Sequence, residues 1–185
     1  MNAKTILKPA LVLVVIALVI TSVLAYVNSI TADRINDLAI EKENEARAEV
    51  LPEADGFTEK TVTVNGEEKT YYESTNGTGY VFLTSGKGYG GAVNVMTGIS
   101  ADGAVSGVKI TEQNETPGMG QKALKDEFTD QYKKAVPENG FTVVKNGASA
   151  DNEIDAITAA TITSKAVTNA VNEAIDIYKA VKEAE

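Results

Sequence analysis

Carboxylate and hydroxyl side chains are concentrated in residues 155–164 (DAITAATITS), directly before an apolar pattern with helical spacing. The N–H groups of a first helical turn and the positive end of the helix dipole attract anions, so this stretch can bind a phosphate. A threonine there can hydrogen-bond to the phosphate or be esterified by it. The same residues also suit an ordinary helix start, in which Asp155 or Thr158 caps the first N–H groups.

A second candidate stretch, residues 115–120 (ETPGMG), lies between a predicted strand and a predicted helix. Pro117 restricts the backbone, and Gly118 and Gly120 permit positive φ or the close approach of another group. Met119 is apolar among polar neighbours, which suits packing against a flat ligand. A stiff connector without a ligand is the alternative interpretation.

A third stretch, residues 86–91 (GKGYGG), is a glycine-rich turn between two predicted strands. It lacks the Lys-Ser ending of a phosphate-binding loop and the strand-to-helix context of a dinucleotide fingerprint. By itself it therefore predicts only a turn.

The composition limits the chemistry that these stretches can perform. The chain of 185 residues contains no cysteine and no histidine, which excludes disulfides, Cys-held clusters, His-ligated haem and Ser–His nucleophile pairs. Redox chemistry would therefore need an organic cofactor, a hard cation or a partner. Two lysines and no acid occur in residues 1–32, so the remainder carries 26 acidic and 15 basic residues. Such an acidic domain lacks the basic surface of a nucleic-acid-binding protein.

Residues 10–27 (ALVLVVIALVITSVLAYV) form an uncharged apolar run. Its length reaches the roughly 17–25 residues that a transmembrane helix needs. The alternative is a cleaved signal peptide, because residues 23–25 (VLA) resemble a cleavage site. The run is longer than a typical signal-peptide core, which favours an uncleaved anchor over 10–27.

The orientation of this anchor follows from its flanks. Lys4 and Lys8 precede the run, and Arg34 and Lys42 follow it. The two flanks therefore carry equal numbers of basic residues, and the positive-inside rule does not decide the orientation. The very short tail, residues 1–9, favours a cytoplasmic amino terminus. We therefore expect a single-pass protein of the cell membrane whose C-terminal part is extracytoplasmic.

The rest of the chain predicts an α+β fold with an antiparallel sheet and packed helices. Residues 28–50 are typical of a solvated helical stalk that ends near Pro52, and residues 51–185 form the domain. Tight turns at Asn65-Gly66 and Asp102-Gly103 connect alternating segments, as in β-hairpins. The predicted strands are 61–64, 67–73, 79–84, 92–99, 105–111 and 141–144; the predicted helices are 122–135 and a long one from about 158 to the end.

Residues 155–161 (DAITAAT) resemble the Asp-x-x-(Ser/Thr)-Gly-Ala-(Thr/Ser) flavinylation motif of the FMN-binding domain family. The order of the stretches is also similar: Gly-Tyr-x-Gly, then Glu-Thr-Pro-Gly-x-Gly, then the hydroxyl motif before the last helix. With its single membrane span, the whole chain resembles the G-subunit branch found in Rnf ion-translocating oxidoreductases. The C-subunit branch of the sodium-pumping NADH:quinone reductase is a close relative of that branch.

The resemblance implies roles for individual residues. Thr161 matches the residue that is joined to FMN through a phosphoester, and a separate flavin transferase forms this ester. The residues that match the surrounding motif are Asp155, Thr158 and Ala160. The loop near the isoalloxazine ring is matched by Glu115, Thr116, Gly118, Met119 and Gly120, and Tyr89 belongs to a matching structural turn.

The chain departs from the pattern at two positions. Ala159 replaces the usual glycine, which suits a helical position but not positive φ. Gln113 replaces a common histidine, so a proton role of that histidine has no counterpart here.

The resemblance implies an electron-relay subunit with covalent FMN, without a metal site and without catalytic residues of its own. Its partners would be the other membrane subunits of a ferredoxin:NAD oxidoreductase complex that moves sodium or protons. The alternatives are the sodium-pumping NADH:quinone reductase, a stand-alone extracytoplasmic flavin reductase, or a membrane-anchored binding module without redox function.

Overall fold

The computed structural model describes residues 3–145 and 147–184, and it confirms the α+β fold with its antiparallel sheet. Five strands lie in sequence order in one sheet, and each pairs antiparallel with its neighbour along the chain. These strands are β1 (Phe57–Val64), β2 (Glu67–Ser74), β3 (Gly79–Lys87), β4 (Ala92–Ser100) and β5 (Val105–Glu112).

The predicted hairpin turns are present. Asn65 and Gly66 both have positive φ, 52° and 85°, and they connect β1 and β2 with Val64 opposite Glu67. This is the conformation that makes Asn-Gly favourable in two-residue hairpins. Gly103, with φ of 84°, turns the chain between β4 and β5.

The amino-terminal helix α1 (Ala3–Val50) is continuous, so the predicted anchor over 10–27 and stalk over 28–50 belong to one element. Within it, residues Pro9–Ala32 form an apolar segment with a mean hydropathy of 2.9 and no burial. This is the one segment of the described chain long and apolar enough to cross a membrane. Of the predicted tail over 1–9, residues 1 and 2 lie outside the described residues, and residues 3–9 belong to α1.

The prediction of a single helix over 122–135 is wrong. The chain instead forms a 3-10 turn (Gly120–Leu124), the short helix α2 (Asp126–Thr129) and a second 3-10 turn (Asp130–Tyr132). Lys125, with φ of −83° and ψ of 143°, is extended and interrupts the helix. Phe128 and Tyr132 are nevertheless buried, because these short turns also place both rings against the core.

Two short strands near the carboxyl terminus pair in parallel: β6 (Thr142–Val144) and β7 (Glu153–Asp155). The first lies inside the predicted strand 141–144, whereas the second was not predicted. The last element is α3 (Thr161–Ala184), which begins three residues later than the predicted start at 158.

Helix α3 covers one face of the five-stranded sheet, because its apolar residues share a core cluster with those of the inner strands. Phe82 and Val95 from the sheet and Val167 and Val171 from the helix are buried there. The Thr84 hydroxyl donates a 2.8 Å hydrogen bond to the carbonyl of Ala170. Helix and sheet are therefore joined by both apolar packing and a buried polar contact.

The opposite face of the sheet has its own apolar cluster. Its members are Ala46, Val50, Leu51, Val81 and Met96, all buried. Side chains alternate between the faces of a strand, which is why Val81 lies in this cluster while its neighbour Phe82 lies under α3. The end of α1 therefore packs onto the sheet as part of the compact unit Glu43–Glu185.

Candidate functional site

A pocket of about 490 Å³ lies where the start of α3 meets the loop after β5 and the turn between β3 and β4. A volume of this size is typical of small-molecule sites. The pocket is lined by Tyr89, Glu115, Thr116, Met119, Gly120, Ala159, Ala160, Thr161, Ile162 and Thr163. The three stretches selected from the sequence therefore meet at one place.

Seven of the ten residues selected from the sequence line this pocket: Tyr89, Glu115, Thr116, Met119, Gly120, Ala160 and Thr161. Gly118, Asp155 and Thr158 are not among the lining residues. Thr163 and Ile162 were missed as pocket residues, although both stand within two positions of Thr161.

Asp155 and Thr158 line a neighbouring recess together with Lys122 and Lys125. The backbone N–H of Asp155 donates a 2.7 Å hydrogen bond to Oε1 of Gln131. Neither Asp155 nor Thr158 is the N-cap of α3, because the helix begins at Thr161. The alternative interpretation of these two residues as N-caps was therefore wrong.

The N-cap position of α3 is occupied by Ala160, whose carbonyl accepts a 3.0 Å hydrogen bond from the N–H of Ser164. An alanine side chain has no oxygen to offer the first-turn N–H groups. Ser164 instead fixes the approach to the helix: its hydroxyl accepts from the N–H of Ile157 and donates to the carbonyl of Ala160, both at 3.0 Å. The start of α3 therefore presents Thr161 and N–H groups without a side-chain cap to the pocket.

Ala159, next to the N-cap residue, has a φ of 65°. This left-handed conformation costs an L-residue with a Cβ about 1–2 kcal/mol. The FMN-binding motif usually has glycine at this position, and the backbone conformation explains that preference. Alanine fits here only under strain.

Glu115 is a buried carboxylate, with 3% of its surface exposed, at the back of the pocket. Its Oε1 accepts a 2.9 Å hydrogen bond from the N–H of Gly90, and its Oε2 accepts a 2.5 Å hydrogen bond from the Thr163 hydroxyl. One side chain therefore connects all three segments of the site. Gln113, which replaces the family's histidine, accepts a hydrogen bond from the N–H of Glu115.

The two glycines of the 115–120 loop are required for different reasons. Gly118 has a φ of 78°, a conformation that only glycine adopts without cost. At Gly120 the reason is space, because a Cβ there would lie 2.5 Å from Oε2 of Glu115 and 2.9 Å from the Thr163 hydroxyl.

The outer wall of the pocket is apolar and accessible. Tyr89, Met119 and Ile162 are 74%, 50% and 53% exposed, although each carries a large apolar surface. No basic side chain is among the pocket-lining residues. A ligand phosphate at the start of α3 would be stabilised by the helix terminus.

Two ionisable groups outside the pocket have shifted pKa values. Burial raises the pKa of Tyr132 far above its ordinary value, while its 2.7 Å hydrogen bond with Thr168 opposes this rise. Tyr132 therefore stays neutral and acts as a core residue. Hydrogen bonds from the N–H groups of Ser149 and Ala150 and from the Ser149 hydroxyl lower the pKa of Glu153. The same hydrogen bonds hold the loop before β7 in place.

Comparison with known proteins identifies the family. Residues 88–176 match the FMN-binding domain family, and residues 1–50 match the RnfG N-terminal region. The G-subunit of the Na⁺-translocating ferredoxin:NAD⁺ oxidoreductase complex of Acetobacterium woodii is 40% identical over 95% of this chain and 93% of its own. The chain belongs to the Rnf G-subunit family.

Other members of the Rnf G-subunit family also align over most of the chain. The G-subunit of the proton-translocating complex of Clostridium ljungdahlii is 37% identical over 83% of this chain and 81% of its own. The G-subunit of the ion-translocating complex of Methanosarcina acetivorans is 32% identical over 97% of both chains. The fold is similar to the C-subunit of the Na⁺-translocating NADH-quinone reductase of Parabacteroides distasonis. The TM-score is 0.56 at 20% identity over 75% of this chain and 93% of that one.

The residues of the pocket fit FMN, the group that the family binds. The start of α3 offers a hydroxyl and N–H groups for a phosphate, and Tyr89, Met119 and Ile162 offer apolar surface for a flat ring.

Proposed function

We propose that this chain is the electron-carrying flavoprotein subunit of an Rnf-type membrane complex and holds FMN through a phosphate ester at Thr161. The observation that carries the proposal is the position of Thr161. It is the first residue of α3, it lines the pocket, and the N-cap before it offers no side-chain acceptor. A phosphate diester at this position would keep one negative charge beside the positive end of the helix dipole.

The other pocket residues would position the rest of the cofactor. Met119, Tyr89 and Ile162 would pack against the ring, and Glu115 with Thr116 and Gly120 would form the wall behind it. Bound FMN supplies one- and two-electron transfer, and the protein supplies its position and electrostatic surroundings. Asp155, Thr158 and Gly118 would support the backbone around the site and not contact the ring.

The proposed partners follow from the family and from α1. The other membrane subunits of a ferredoxin:NAD oxidoreductase complex would donate and accept the electrons, and a separate flavin transferase would attach the FMN. The chain would relay electrons without catalysis of its own. The apolar segment Pro9–Ala32 would anchor it, with the domain on the extracytoplasmic side.

Intact mass tests the covalent attachment. The full chain is produced with and without a flavin transferase, and we expect one added FMN only when the transferase is present. Thr161→Ala should abolish the added mass, and Thr161→Ser should retain it because the hydroxyl remains.

Thr163→Ala is the matched control for this experiment. Thr163 stands two residues away with its hydroxyl bonded to Glu115, so its loss should leave the FMN adduct in place. A wild-type chain that stays at its bare mass in the presence of the transferase would refute covalent attachment and favour a non-redox binding module.

The proposed orientation can be tested with a single introduced cysteine, because the native chain has none. Asp151→Cys places a thiol at an exposed turn of the domain. A membrane-impermeant maleimide should label this variant in intact cells. Labelling that occurs only after lysis would place the domain in the cytoplasm and contradict the proposal.

A further inference from the structure

We propose that Glu115 carries a fixed negative charge that lowers the reduction potential of the cofactor in the pocket. The proposal rests on the proposed function, since it requires FMN in this pocket. It assigns to the carboxylate an electrostatic effect on the cofactor in addition to a structural contact.

The hydrogen bonds around Glu115 match its ionised form. Both oxygens accept: Oε1 from the N–H of Gly90, and Oε2 from the hydroxyl of Thr163. A carboxylate is an acceptor only, so each of these donors meets a lone pair. Hydrogen bonds from donors to an ionised acceptor are stronger than neutral ones, which helps to keep the charge in place.

Within the described part of the chain, Glu115 takes part in no ion pair. The side chains that line the pocket include no lysine or arginine. At 3% exposure, water screens it poorly. The charge therefore acts on whatever occupies the pocket.

Two glycines fix the position of the charge. A Cβ on Gly88 would lie 2.3 Å from Oε1 of Glu115, and a Cβ on Gly120 would lie 2.5 Å from Oε2. Only glycine at both positions allows the carboxylate to sit between the turn and the loop. The carboxylate therefore lies against the backbone of both glycines.

The consequence concerns the energy of electron uptake. Adding electrons to a group in the pocket increases the negative charge there, and a nearby fixed negative charge in a poorly screened site opposes this change. Removing the charge of Glu115 should therefore make the cofactor easier to reduce.

The test is a redox titration monitored by absorbance. The sample is the full chain in detergent, loaded with FMN by the flavin transferase. Glu115→Gln should increase the reduction equilibrium constant about tenfold, which is a positive shift of about 30 mV for a two-electron couple. Glu115→Asp keeps a carboxylate at this position, so its potential should stay nearer to that of the wild-type chain than the potential of Glu115→Gln. A shift in Glu115→Gln that Glu115→Asp does not share separates an electrostatic effect from general disruption of the site.

Glu112→Gln is the matched control. Glu112 is an exposed carboxylate at the end of β5 that accepts a hydrogen bond from Asn94, and its removal should leave the potential unchanged because water screens it. An unchanged or lower potential in loaded Glu115→Gln would overturn the proposal. If Glu115→Gln does not take up FMN, Glu115→Ala is titrated instead, and an unchanged or lower potential of that variant overturns the proposal. Failure of the wild-type chain to load would instead refute the proposed function.

Discussion

The most informative single residue is Ala159, because its conformation separates this chain from the usual motif of its family. A φ of 65° is favourable for glycine, and the motif usually has glycine there. The chain has a strained alanine immediately before the helix that carries Thr161. The strain is retained because Ser164 holds residues 157 and 160 through its two hydrogen bonds.

Replacing this residue should stabilise the protein. Ala159→Gly removes a cost of about 1–2 kcal/mol and adds an entropic cost of about 0.5–1 kcal/mol, so we expect a net gain of roughly 0.5 kcal/mol. Urea unfolding of the full chain in detergent, followed by near-ultraviolet circular dichroism, measures the free energy of unfolding.

The control for Ala159→Gly makes the same change three residues upstream. Ala156 has no positive φ, and its N–H donates to the carbonyl of Val144, so Ala156→Gly should lower the free energy of unfolding. Equal effects of the two substitutions would show that residue 159 does not hold the left-handed conformation.

The residue scale also shows what the sequence could predict about the site. The motif and the spacing identified Thr161 and the 115–120 loop, and the structure brings them together. The hydrogen-bond partner of Thr163 could not be predicted, because it depends on the tertiary fold. That partner, Glu115, lies 48 positions away in the chain and reaches Thr163 only in the folded domain.

At the scale of elements, the close approach of α3 to the sheet positions the site. A Cβ on Gly86 of β3 would lie 2.0 Å from the carbonyl oxygen of Ala166, so the first turns of α3 rest directly on the strand backbone. The same helix then places Thr161 at the edge of the pocket. The site therefore depends on a glycine that does not line it.

Gly86→Ala should displace the start of α3 and destabilise the domain. Overpacking of this kind costs about 1–3 kcal/mol, and here the obstacle is backbone and cannot rotate away. We expect a lower melting temperature and weaker FMN loading, measured by circular dichroism and by intact mass. Ser85→Ala, at an exposed position of the same strand, should change neither. Normal stability and loading of Gly86→Ala would show that α3 does not lie so close to β3.

The elements differ in how well the sequence predicted them. The strands of the large sheet were predicted because tight turns with Asn-Gly and Asp-Gly mark their ends. The prediction of one helix over 122–135 was wrong because consecutive short turns also satisfy the four-residue spacing of Leu124, Phe128 and Tyr132. Strand β7 was missed because three residues are too few to show alternation, and its partner β6 pairs with it only through the tertiary fold.

At the scale of the whole molecule, the chain divides into the units 1–42 and Glu43–Glu185. The second unit includes the last turns of α1, whose residues Ala46 and Val50, with Leu51 after them, cover one face of the sheet. We predicted from the sequence that the domain starts at residue 51. Most residues of 28–50 are typical of a solvated helix, so the few apolar residues that pack on the sheet could not be recognised.

Truncated chains should reveal this contribution. A chain beginning at Glu43 keeps Val50 and Leu51, whereas a chain beginning at Phe57 loses them and exposes Val81 and Met96. Burial of two such side chains contributes about 3–6 kcal/mol, so the shorter chain should unfold at lower urea concentration. It should also bind a hydrophobic dye. Equal stability of the two chains would show that the end of α1 adds nothing to the sheet.

The position of α3 after all the strands has a consequence for the order of events in the cell. The five strands of the large sheet pair only with their sequence neighbours, so they can assemble as the ribosome delivers them. The pocket, in contrast, lacks one wall until α3 has been synthesised and has folded onto the sheet. A nascent chain without that helix has no complete pocket, so a ligand can occupy the complete pocket only after α3 has left the ribosome.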